Sequence, residues 1–182
     1  MPQARSDRRR WRVAALVVVL ALLPLLVDAC FRVPETASVP PGLYVLTHRG
    51  PRKGGWVVVC LPEAVSRLGR SRGYLGRGHC PGHASEVLKK VAALPGSLVE
   101  VTPGGLVVDG ERLATPRRLR DSAGRLIPAL PAGTYRVAPG TVWIYSDYSP
   151  RSWDSRYFGA VPLAGVRSTA RVLLPAPVYS DR

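Results

Sequence analysis

The sequence predicts a mainly β, antiparallel domain behind a single N-terminal transmembrane helix. Three observations carry this. With 18 glycines and 18 prolines against a single methionine, the composition favours turns and short strands over a helical bundle. Short apolar runs recur between Gly- and Pro-rich turns. One longer apolar run, Val13 to Val27, follows a cluster of arginines near the N-terminus. The 182 residues fit one ordinary domain once that segment is set aside.

The net charge is +14, and arginine supplies most of it. A nucleic-acid partner is not expected, because the basic residues are scattered from Arg5 to Arg182 and no nucleic-acid-binding motif appears. Attraction to an anionic membrane surface, or simply an arginine-rich proteome, is the simpler account.

Residues 1–12 form a basic N-terminus that carries Arg5, Arg8, Arg9, Arg10 and Arg12. With Asp28 to Phe31 at the outer interface, residues 13–31 approach the ~20 residues a spanning helix needs. The basic flank stays in the cytoplasm, so the remainder is exported. A cleaved signal peptide is the competing reading, but Val27-Asp28-Ala29 is a poor cleavage site. Asp28 also sits badly for lipidation of Cys30. The expectation is an uncleaved anchor in the bacterial inner membrane, a periplasmic domain over residues 32–176 and a tail over 177–182.

Past the anchor, Ser38 is followed by Pro40, Pro41 and Gly42, which favour extended and then turning backbone. Such a segment is either a membrane-proximal linker or a bend that presents a hydroxyl beside a groove. Cys60 and Cys80 are the cysteine pair of the exported part, and in an oxidising compartment they read as a disulfide. It would staple a loop, Leu61 to His79, that is otherwise floppy. The competing metal site would use Cys60, His79, Cys80 and His83, but Cys60 lacks the close partner that zinc sites usually have. No metal or other cofactor is expected.

Tyr44–Thr47 and Trp56–Val59 read as two strands flanking a turn, as in a hairpin. Glu86–Leu94 is a third strand. Leu98–Val101 and Leu106–Val108, with Asp109-Gly110 after them, read as consecutive tight hairpins. Arg117–Pro131 reads as an irregular surface excursion, and Thr141–Tyr145 and Val166–Leu174 as further strands.

A serine needs a base to become a nucleophile. The histidines His48, His79 and His83 lie in turn-rich segments, and no Gly-x-Ser-x-Gly elbow is present. A lysine is the other option. Lys89 and Lys90 interrupt an apolar strand, and alternation sends them to opposite faces. Lys89 shares its face with Val87 and Val91, where burial would lower its pKa toward that of a general base.

Three ordered blocks now stand out. They are Ser38-Val39-Pro40, Lys89-Lys90-Val91-Ala92-Ala93-Leu94-Pro95-Gly96 and Ser152-Trp153-Asp154-Ser155-Arg156-Tyr157-Phe158-Gly159. Together they resemble the type I signal peptidases, which are membrane-anchored Ser/Lys endopeptidases. The Ser38-x-Pro40-x-Gly42-x-Tyr44 continuation, Cys60, Arg72-Gly73-Tyr74-Leu75 and Gly78-His79-Cys80-Pro81-Gly82 resemble the TraF-type conjugative transfer peptidases more closely. The chain departs from the signal peptidase pattern at Ser97 and at Gly54-Gly55, which read as turn positions.

The resemblance implies Ser38 as nucleophile and Lys89 as general base. It implies Thr36 as an oxyanion donor beside the Ser38 N–H, and Asp154 with Arg156 as a brace. Val39 and Pro40 would lie next to the substrate. The implied partners are an exported precursor, most simply a pilin subunit of a type IV secretion system, the inner membrane and other mating-pair-formation proteins. The acyl-enzyme would be resolved by water or, with cyclisation, by the pilin's own N-terminus. A general type I signal peptidase and a non-catalytic periplasmic scaffold are the alternative functions.

Overall fold

The computed structural model describes residues 11–12, 14, 16–18, 20–22, 30–32, 34 and 38–176. Among these residues, no helix is long and apolar enough to cross a membrane. Much of the expected anchor, together with Thr36, lies outside the described residues. Those that are described, such as Leu16, Val17, Val18 and Leu20, are helical and exposed.

Two antiparallel sheets make up the domain. The larger holds β1 (Phe31–Arg32), β2 (Gly42–Thr47), β3 (Trp56–Val59), β5 (Val87–Ala93), β10 (Thr141–Tyr145), β11 (Val161–Pro162) and β12 (Val166–Pro175). Their order across the sheet is β1-β2-β12-β3-β5-β10-β11. The smaller sheet has the order β8-β7-β6-β9, with β6 (Leu98–Thr102), β7 (Gly105–Val108), β8 (Glu111–Arg112) and β9 (Gly133–Arg136). A short strand, β4 (Arg77–Cys80), stands apart from both.

The expected hairpin between Tyr44–Thr47 and Trp56–Val59 does not form. Both strands exist, but β12 lies between them and pairs with each. Turn residues between two strands show that the chain reverses, not which strand it then meets. Here Gly54 and Gly55 exchange backbone hydrogen bonds with Val91, while the Thr169 hydroxyl bonds the carbonyls of Thr47 and Arg49. The two tight hairpins are present, with Thr102 opposite Gly105 and Val108 opposite Glu111.

The segment expected to be a floppy loop under the disulfide contains a helix, α1 (Glu63–Ser71). Glu63 pairs with Arg67 one turn on. The end is a Schellman closure, with Gly73 N–H donating to Arg70 and Tyr74 N–H to Gly69. A Cβ at Gly69 would stand 2.7 Å from the Leu75 side chain, which would have to shift to admit it.

Each sheet has a core. Val57, Val59, Val87, Val91, Val142 and Ile144 from the large sheet pack with Leu61, Leu75, Trp153 and Tyr157. Val99, Val101, Leu106, Val108 and Val137 form the second core, joined to the first sheet through Ala92, Ala93 and Trp143.

Candidate active site

The segment carrying Ser38 is held carbonyl by carbonyl. The carbonyl of Ser38 accepts the Ser146 hydroxyl, that of Pro40 accepts the Tyr44 hydroxyl at 2.8 Å, and that of Pro41 accepts Ala176 N–H at 3.0 Å. Val39 is buried in a small cluster with Tyr44 and Ala170. The Ser-Val-Pro-Pro-Gly-Leu-Tyr run is therefore one unit in which the tyrosine returns to fasten the prolines.

Lys89 comes from the middle of β5, opposite Val57 of β3. It is 2% exposed, and burial lowers its pKa from 10.5 to about 8. The charge of Asp154 acts in the opposite direction, and that of Arg156 with burial. Lys90 points away as expected, pairs with Asp147 and lies 5.0 Å from the centre of the Trp56 ring.

Ser38 and Lys89 line one cavity of about 840 Å³ with Val39, Leu43, Trp153 and the Cys60–Cys80 disulfide. Pro40 is not among its lining residues; its role is the bond to Tyr44. The two cysteines are covalently joined, so neither sulfur is the thiolate that the competing metal reading needs.

Asp154 and Arg156 form a fully buried pair beneath the site. Arg156 donates from Nε and Nη2 to the two carboxylate oxygens of Asp154, both at 2.8 Å. It also donates to the carbonyls of Pro116, Ser149 and Ser152. Burial works against its charge, but the carboxylate outweighs this and raises its pKa. Asp154 additionally caps α2 (Ser155–Phe158) by accepting from Arg156 N–H.

Sequence reasoning missed Ser146. It follows β10 in the run Ser146-Asp147-Tyr148-Ser149, and its hydroxyl accepts the N–H groups of Tyr148 and Ser149. A serine opening a polar turn directly after an apolar strand was the available signal.

The site thus combines a serine at a fastened bend with a desolvated lysine lining the same cavity. The family described as "Signal peptidase, peptidase S26" matches residues 8–174, and the chain belongs to it. Within that family it is a TraF-type protein. It is 33% identical over 170 residues to the plasmid transfer protein TraF of Escherichia coli, across 90% of this chain and 96% of the relative. It is 37% identical over 163 residues to the conjugal transfer protein TraF of Agrobacterium fabrum, across 87% and 90%. A solved signal peptidase I from Enterococcus faecalis aligns at 21% identity with a TM-score of 0.39, covering 68% of this chain and 98% of its own.

Proposed function

We propose that this protein is a membrane-anchored serine endopeptidase that uses Ser38 and Lys89 to cleave an exported pilin precursor during conjugative transfer. One observation carries the reading: the only lysine buried among the described residues shares a cavity with Ser38 and has its pKa lowered to about 8. The conjugative role rests on the names of the relatives.

In the proposed mechanism the precursor lies extended in the cavity, with small side chains before the scissile bond. Neutral Lys89 takes the Ser38 proton as Oγ attacks the carbonyl carbon. The oxyanion is received by the Ser38 N–H and the Thr36 hydroxyl. The lysine then returns its proton to the departing amine, leaving an ester on Ser38. Water, or the amine of the pilin itself, releases it.

The test is cleavage of a conjugative pilin precursor by the full-length protein in detergent. Ser38→Ala and Lys89→Ala should each abolish cleavage. Normal cleavage by both variants would overturn the reading. The anchor is tested separately by the mass of membrane-purified protein, and loss of the first thirty residues would exclude it.

A further inference from the structure

We infer that Ser146 is a positioning residue for the nucleophile, joining the backbone of Ser38 to the buried Asp154–Arg156 pair. This inference rests on the Ser38/Lys89 reading above.

Every polar atom of Ser146 is engaged, and the residue is wholly buried. Its N–H donates to Asp154 Oδ2 at 3.1 Å. Its carbonyl accepts the Thr115 hydroxyl. Its hydroxyl oxygen receives Tyr148 N–H at 3.2 Å and Ser149 N–H at 2.9 Å. Two donors already face that oxygen, so its single proton is left for an acceptor, and the acceptor is the Ser38 carbonyl. The direction of this bond is thus fixed by its neighbours.

The consequence is geometric. Ser38 and Ser146 are 108 residues apart in sequence, and this contact ties the nucleophile's own peptide unit to the far side of the site. Fixing the carbonyl restricts rotation about the Ser38 Cα–C bond, and so where Cα presents Oγ. Asp154, which holds Ser146 by its N–H, is also the carboxylate whose charge acts on Lys89. One buried carboxylate therefore serves both halves of the dyad, directly for the base and through Ser146 for the nucleophile.

Ser146→Ala removes the donated proton but keeps the backbone bond to Asp154. Cleavage of the pilin precursor by full-length protein should show kcat reduced on the order of 10- to 100-fold. KM should change less than about twofold, since Ser146 does not line the cavity. The midpoint of the pH–rate profile should stay where the wild type has it, because the surroundings of Lys89 are untouched. Ser146→Thr, which keeps the hydroxyl, should recover most of the rate. Thermal unfolding of each variant gives the folded fraction at the assay temperature, and kcat is expressed per folded molecule. A kcat per folded molecule within twofold of wild type for Ser146→Ala would overturn the inference, as would a displaced pH midpoint. If Ser38→Ala itself cleaves normally, the Ser/Lys reading fails first, which separates the two failures.

Discussion

Lys89 stands directly opposite Val57 across the β3–β5 pair, and both side chains are excluded from water. Burial of this position makes the ammonium costly there and the neutral amine not. With a pKa of about 8, roughly one molecule in ten carries a neutral Lys89 at pH 7, against about one in 3,000 at 10.5. Precursor cleavage should therefore rise with pH along a single ionisation near 8. Lys89→Arg should be inactive, because a guanidinium does not release its proton. Lys90→Ala should keep most activity, since Lys90 is spent on Asp147 and Trp56. Rates measured from pH 6 to 10 check this, and a flat profile would exclude Lys89 as the base.

The same desolvation has a stability signature. The folded pKa lies below the unfolded one, so between about 8 and 10.5 the unfolded chain binds more protons. Stability should thus rise with pH across that window. Lys89→Met should be more stable than wild type at pH 7 by on the order of 3 kcal/mol. The gap should close above pH 10.5. Urea unfolding at both pH values measures it, and a gap that does not narrow would rule out the buried charge as its source.

Gly42 follows the prolines and has its backbone against β12. A Cβ there would lie 2.6 Å from the carbonyl oxygen of Leu174, at a φ of +155°. Gly42→Ala must push β2 and β12 apart beside Ser38. We expect a loss of about 1–3 kcal/mol in stability and a larger fall in kcat than in thermal midpoint. Cleavage assays alongside thermal unfolding test this, and unchanged kcat would show that Ser38 does not feel the seam.

Removing the Cys60–Cys80 disulfide should lower stability by about 2–4 kcal/mol, since it closes a loop of 20 residues. The bridge also forms part of the cavity wall, so the Cys60→Ala, Cys80→Ala double variant should raise KM. Chemical unfolding and steady-state kinetics report the two effects independently. Two free thiols in unreduced native protein would refute the bridge.

Local pattern sufficed for much of this. Trp56–Val59 and Thr141–Tyr145 are strands with the bounds their apolar runs suggest, and the parity of Lys89 and Lys90 was readable because a strand alternates. Pairing was not, because β12 reaches β2 across more than a hundred residues and leaves no local mark. The helix α1 was hidden by its own composition. Its fully buried positions are Ser66 and Gly69, with Val65 and Leu68 only partly buried against the core, so its arginines read as loop. Ser146 escaped for a related reason: one hydroxyl in a polar turn acquires its importance only from what the fold sets against it.

The position of β12 bears on when this protein can act. The Ser38 segment leads into β2, Lys89 sits on β5 beyond β3, and residues 166–175 are the seam between the two halves. A ribosome makes that seam after both Ser38 and Lys89. A nascent chain that has not passed residue 165 already contains Ser38 and Lys89, yet lacks the strand that pairs with both β2 and β3 and the Ala176 N–H that bonds the Pro41 carbonyl. If the proposed reading holds, order of synthesis delays assembly of the site until the last strand is made. A chain stopped after Gly165 should be inert toward precursor, a separately supplied 166–176 peptide should restore cleavage, and activity in the stopped chain alone would show that the delay does not exist.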